Sequence, residues 1–284
     1  MKASRLGAVT LGTLMFTACS FVAAGTASAA ATHYVALGDS YSSGTGAGSY
    51  DPDSGNCKRS ANAYPQLYAA ANSPDSFSFV ACSGATTSTI ASGQLGALSS
   101  STTLVTLTAG GNDAGFASVM ETCVLQSTEN CEAAVNSAES FMRTTLPGRL
   151  DSLYGSIRSK APSARVIVLG YPRLYIPNSS GCIGLNQTKR AVLNRAADTL
   201  NSSIQSAVGR AGFVWSDVRD EFSGHELCSG DDWLHSLTYP IGDSYHPTAL
   251  GQRYGYLAAL NSSAKRATTK AKKAAKAKMA KAAG

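Results

Sequence analysis

Tyr34-Val35-Ala36-Leu37-Gly38-Asp39-Ser40 is an apolar run that stops at a glycine and opens into a polar loop. A run of this length, bounded by turn residues, reads as a buried strand. Further runs give five strands over 34–38, 77–81, 103–108, 165–170 and 213–215. Helical patterns fall between them. Tyr64, Leu67 and Tyr68 predict a helix over 62–71, and 131–160 reads as one long helix or a pair broken at Pro147-Gly148. Val192, Leu193, Ala196, Leu200, Ile204 and Val208 form one apolar stripe over 186–209. Pro247 suits the first turn of a last helix, Thr248 to Leu260. Strands alternating with helices predict a single α/β domain, a five-stranded parallel sheet between two helical layers. The Gly-, Ser-, Asp- and Pro-rich segments 41–61, 171–185 and 216–245 follow strands 1, 4 and 5. Ligands bind beyond the carboxyl ends of such strands, so these segments are expected to form a cleft.

The loops carry the parts of a nucleophilic site. Ser40 stands at the end of the first strand, and Asp243-Ser244-Tyr245-His246-Pro247 comes about two hundred residues later. A serine hydroxyl needs a base to take its proton, and His246 is the candidate. Acyl transfer also needs donors for the developing oxyanion. Cys82-Ser83-Gly84-Ala85 follows the second strand and Gly110-Gly111-Asn112-Asp113 the third. The backbone N–H groups of Ser40 and Gly84 and the side-chain amide of Asn112 are the expected donors. Without the other blocks, Asp39-Ser40 would read as a helix cap. His33, His225 and His235 lack the Asp-x-x-His context and read as surface or loop histidines. Asp39 and Asp113 read as braces of their loops, and Lys58-Arg59 as solvated cations.

These four blocks, in this order, resemble the SGNH hydrolases, also called GDSL lipases and esterases. The resemblance runs from about residue 33 to about residue 260, and Val35 to Gly44 is most similar to the secreted lipases of actinomycetes. It implies a flavodoxin-like three-layer α/β/α sandwich and ester hydrolysis through an acyl-Ser40 intermediate, with lipid or other acyl esters as substrates. The acceptor on His246 Nδ1–H stays open. It is either the Asp243 carboxylate or, as in part of this family, a backbone carbonyl, here that of Ser244. A carbohydrate acetyl esterase is the alternative within the same machinery, with Trp215 and Trp233 as candidate sugar platforms. A non-catalytic envelope-binding protein is the alternative of another class.

Composition narrows the setting. Lys2 and Arg5, the apolar stretch Leu6 to Val22, and Ala27-Ser28-Ala29 read as a secretory signal over residues 1–30, cut after Ala29 or Ala30. The hydrolase domain is then 31–261, and export to the extracellular medium is expected. Of the seven cysteines, Cys19 leaves with the signal. Six in an exported chain predict three disulfides. Among fifteen pairings, the sequential one, Cys57–Cys82, Cys123–Cys131 and Cys182–Cys228, joins loops at the same ends of neighbouring strands. Cys-x-x-Cys spacing is lacking, which argues against zinc. Gly44-Thr45-Gly46-Ala47-Gly48 lacks the dinucleotide spacing, so no cofactor and no metal is expected.

The formal charge of +6 is carried by the ends. Residues 262–284 hold eight Lys and Arg and no acid, and Lys2 and Arg5 add two. The 14 basic residues left in 31–261 face 18 acidic ones, a net charge of −4. That balance does not fit a nucleic-acid-binding surface. The Ala/Lys-rich segment 262–284 reads as a flexible or partly helical extension, able to touch anionic envelope surfaces weakly. The expected form is a monomer.

Overall fold

β1 (His33–Ala36) is buried at three of its four residues and lies between two parallel partners. A computed structural model describes residues 31–178 and 181–282 of the chain; the expected signal segment 1–30 lies outside the described residues. After β1 come α1 (Ser40–Ser43), α2 (Tyr64–Asn72), β2 (Ser76–Phe79), α3 (Thr87–Gly93), β3 (Leu104–Leu107) and α4 (Phe116–Leu125). Then follow α5 (Thr128–Thr144), α6 (Leu146–Lys160), β4 (Arg165–Leu169), α7 (Gln187–Ala211), β5 (Val214–Ser216) and α8 (Leu257–Ala282).

The five strands form one parallel sheet in the order β2-β1-β3-β4-β5. β3 is buried throughout and β4 nearly so, as expected of strands covered on both faces. Helices lie on both sides, with α2 against α8 and α3, α6 and α7 packed in succession. The chain order turns back across β1, so the sheet's switch point lies between β1 and β3. A crevice at that point is where an open α/β sheet binds its ligand.

Local signals explain most boundaries. The pattern over 131–160 resolves into α5 and α6, broken at Thr145, with Pro147 in the first turn of α6. Asn186 caps α7 by accepting the Lys189 N–H at 2.9 Å, and Gly212 ends it in the left-handed region. The last helix differs most from expectation. It opens as a π-helical turn, Gly251–Tyr256, and continues as α8 to Ala282. A side chain at Gly255 would strike the Phe222 ring at 2.2 Å, so glycine lets this turn close on the core. Beyond residue 261 the helix still packs. Ser263 is buried against Ser216, and Arg165 donates to Thr268 Oγ1 at 2.9 Å. The packed body therefore reaches Thr268, past the boundary read from composition. Disulfides join Cys57 to Cys82, Cys123 to Cys131 and Cys182 to Cys228.

Candidate active site

The strand order sets three loops side by side. Gly84 follows β2, Ser40 follows β1 and Asn112 follows β3, and these strands are consecutive in the sheet. Ser40 is the first residue of α1 and is 5% exposed. Asp39 caps that helix: one carboxylate oxygen accepts the Tyr41 N–H and the Thr108 hydroxyl, and the other accepts the Tyr171 hydroxyl. Burial pushes the Asp39 carboxyl above its usual range, opposed by these three donors. Gly38 has φ +124°, and a Cβ there would meet Ser42 Oγ at 2.5 Å. Only glycine fits this turn. Its peptide is held on both sides by the Gln94 amide, at 2.8 and 2.9 Å.

Ser40 Oγ lies 2.8 Å from His246 Nε2. The other ring nitrogen, Nδ1, lies 3.0 Å from the Ser244 carbonyl oxygen. A carbonyl can only accept, so Nδ1 carries the proton and Nε2 is the acceptor for the Ser40 hydroxyl. Burial pulls the imidazole down to about 4, opposed by the Ser244 carbonyl and by Asp243. His246 is therefore neutral, and able to act as a base, at neutral pH. The Asp243 carboxylate bonds elsewhere: its Oδ1 accepts from Lys58 Nζ at 2.8 Å.

Ser40 and Gly84 line one cavity. Among the described residues, the N–H groups of Ser40 and Gly84 donate to no protein acceptor. Gly84 has φ +79° and open space where a Cβ would stand. Asn112 gives one amide hydrogen to Ala85 O at 2.9 Å and lines the same cleft. The Asp113 side chain, which is fully buried, accepts the Thr87 N–H at 2.8 Å and hydroxyl at 2.7 Å. It thus ties the Asn112 loop to the helix after Gly84.

Several positioning residues give no sequence signal. Tyr171 donates to Asp39 and accepts the Gly111 N–H, linking the serine and asparagine loops. Tyr41 donates to Tyr245 O at 2.8 Å, beside the histidine. His235, read as a loop histidine, donates through Nε2 to Gly46 O and exchanges backbone bonds with Tyr245 and His246. Lys58 is paired and only partly exposed.

Ser40 stands where two apolar cavities meet. One is narrow and runs past Phe116 and Val119 to Met142, Leu193 and Leu200. The other, wider and open to solvent, is lined by Gly84, Asn112, Met120, Leu237, Ile241 and His246. Much of the apolar wall comes from α4, α5 and α7, which composition did not assign to the cleft. The tryptophans are engaged elsewhere: Trp233 stacks on His225 at 3.6 Å, and Trp215 packs against Gly170. No helix among the described residues is long and apolar enough to cross a membrane.

The chain is similar to several known lipases. The chain is 56% identical over 237 residues to Lipase 1 of Streptomyces coelicolor, covering 83% of this chain and 88% of that one. It is 49% identical to a lipase of Streptomyces rimosus over 266 residues, 92% of this chain and 99% of the relative. Phospholipase A1 from Streptomyces albidoflavus superposes with a TM-score of 0.81 at 60% identity, over 82% of this chain and all of that chain. The extracellular lipase of Streptomyces rimosus also gives 0.81, at 52% identity and the same coverage. The model of the GDSL-like Lipase/Acylhydrolase family matches residues 36–254, and the chain belongs to that family.

Proposed function

We propose that this carboxylic ester hydrolase cleaves acyl esters of lipids through a covalent acyl-Ser40 intermediate, with His246 as its base. The observation that carries the reading is the chain from Ser40 Oγ to His246 Nε2 and from Nδ1–H to the Ser244 carbonyl. As Oγ attacks the ester carbonyl, Nε2 takes its proton. The N–H groups of Ser40 and Gly84 and the free amide hydrogen of Asn112 receive the oxyanion. The imidazolium that forms keeps its Nδ1–H bond to the Ser244 carbonyl and gives its Nε2 proton to the leaving alcohol. Water then attacks the acyl-enzyme by the same route in reverse order. Asp243 acts through its field and not as a direct partner, because His246 Nδ1 bonds the Ser244 carbonyl and Asp243 Oδ1 holds Lys58.

The apolar cavities on either side of Ser40 support a substrate with acyl chains. Export is part of this reading. It rests on the signal-like N-terminal sequence and on the relative described as an extracellular lipase.

Hydrolysis of p-nitrophenyl esters of rising chain length, by the wild type and Ser40→Ala, is the test. Turnover that rises with acyl length and vanishes in Ser40→Ala is expected. Acetyl-only turnover would favour the carbohydrate esterase, and phosphonate labelling at another serine would overturn the assignment.

A further inference from the structure

Among the described residues, Ser40, Asn112 and Phe116 border both cavities, whereas His246 and Gly84 border the wide one alone. This asymmetry sorts the four groups on the tetrahedral carbon of the proposed reaction. One group is Ser40 Oγ. The oxyanion faces the Gly84 N–H, in the wide cleft. The leaving oxygen must come within hydrogen-bond reach of His246 Nε2 to receive its proton, so it belongs to the wide cleft too. The acyl chain is the group left for the narrow cavity, walled by Ala138 and Met142 of α5 and by Leu193 and Leu200 of α7.

The place left by the departing alcohol is the place from which the next nucleophile attacks. Both need the same nitrogen, Nε2, first as acid and then as base. Water fills this role in hydrolysis, but the wide cleft also offers apolar surface that water does not use. One wall is the face of α4 that carries Phe116, Met120 and Val124 at four-residue spacing, and exposed Leu125 ends it. The other wall carries Leu237 and Ile241, both exposed. Residues 236–242, Ser-Leu-Thr-Tyr-Pro-Ile-Gly, hold no charge, and Glu121 is the one carboxylate on the cleft among the described residues. An alkyl group set between these walls leaves water while a hydroxyl at its end reaches Nε2.

We infer that the wide cleft is an acceptor subsite, and that the enzyme transfers its acyl group to medium-chain primary alcohols in competition with water. This rests on the acyl-Ser40 reading of the site. The alcohol oxygen attacks the acyl carbonyl as Nε2 takes its proton. A new bond forms between that oxygen and the carbonyl carbon, the bond from the carbon to Ser40 Oγ breaks, and Oγ takes the proton from Nε2. The products are an alkyl ester and the free serine, with no change in oxidation state. Each methylene of the alcohol that the cleft buries fully favours transfer by about fourfold, and each one half-buried by about twofold.

The test is turnover of p-nitrophenyl butyrate by the full chain with ethanol, butanol or hexanol present at equal molarity. Gas chromatography reads alkyl butyrate against butyric acid. That ratio is set after p-nitrophenol has left, so it does not depend on the rate of acylation. We expect it to rise at least about twofold per methylene, or about sixteenfold or more from ethanol to hexanol. Leu237→Ser combined with Ile241→Ser alters two exposed side chains of the wide cleft and should lower the rise per methylene. Met142→Ala, in the narrow cavity, should leave that rise as it is in the wild type. A ratio that grows by less than about twofold per methylene would overturn the inference. An unchanged rise in the double variant, or one lowered by Met142→Ala instead, would do the same. Absence of p-nitrophenol release by the unaltered chain would count against the proposed function itself, and the inference would fall with it.

Discussion

Lys58→Met should move the acid limb of the pH–rate profile upward. In the proposed mechanism the neutral His246 ring is the base, so kcat/KM falls as that ring takes a proton. Burial pulls its pKa down to about 4, with Lys58 reinforcing the shift and Asp243 opposing it. With that midpoint about nine-tenths of the ring is neutral at pH 5, against about 3% for a histidine at about 6.5. The substitution removes one cation and also frees the Asp243 carboxylate from its 2.8 Å partner. Of the other groups around the ring, His235 also holds the pKa down, and the Ser244 carbonyl holds it up. An unpaired carboxylate beside an imidazole raises its pKa by about one unit or more. A rise from about 4 to about 5 cuts the neutral fraction at pH 4.5 from about three-quarters to about one-quarter. Asp243→Asn in the Lys58→Met background removes the freed charge and should return the limb toward the wild type. The assay is initial-rate hydrolysis of a soluble short-chain ester across the acid range, with circular dichroism confirming the fold at each pH. A wild-type midpoint near the free-histidine value would refute the burial argument. A limb unmoved by Lys58→Met would refute the role of the pair.

The same depressed pKa links acid to stability. The unfolded chain takes this proton first as pH falls, so the contribution of neutral His246 is intact above about pH 6.5 and is lost by about pH 4. Denaturant titrations across that window should show a loss of at most about 3 kcal/mol from this group, reduced by solvent screening of the half-buried ring. Asn112→Ala should lower kcat by about 10²–10³ with little change in KM, as steady-state kinetics would show. Tyr171→Phe removes the hydroxyl that joins Asp39 to Gly111; we expect lower kcat and a loss of about 1–3 kcal/mol in chemical denaturation. Cys57→Ser with Cys82→Ser should cost about 2–4 kcal/mol in denaturant titrations. It should also slow turnover, because the Ser83 N–H bonds the Cys57 carbonyl just before Gly84.

The strands were legible because each is a short apolar run stopped by polar or small residues, and a parallel sheet buries both faces of such runs. α3 and α4 were not. Thr87–Gly93 buries only Thr87 and Ile90, and its capping box uses two threonines in place of the usual acidic partner. α4 starts at Gly115 with no side-chain cap. The blocks around Ser40, Gly84, Asn112 and His246 stood out because each follows a strand or a turn. Tyr171 and Gln94 did not, because their contacts span 132 and 56 residues and leave no local spacing. The length of α8 was readable in part, since alanine and lysine favour helix. Low complexity hid it, because the same composition also suits a solvated extension.

The three loops proposed to face the ester hang from adjacent strands, β2, β1 and β3, about 4.8 Å apart. The walls that would receive the acyl chains hang from helices α4, α5 and α7 and from the segment around Leu237 and Ile241. Reactivity and selectivity are thus mounted on different parts of the molecule. The first is ruled by the repeat distance of a hydrogen-bonded lattice, which side-chain changes barely alter. The second rests on side chains that can be resized one at a time. An engineer can therefore recut the chain-length preference at Met142 or Leu200 while the distance between attacking oxygen and oxyanion donors stays fixed, as a lathe keeps its axis when the tool is changed.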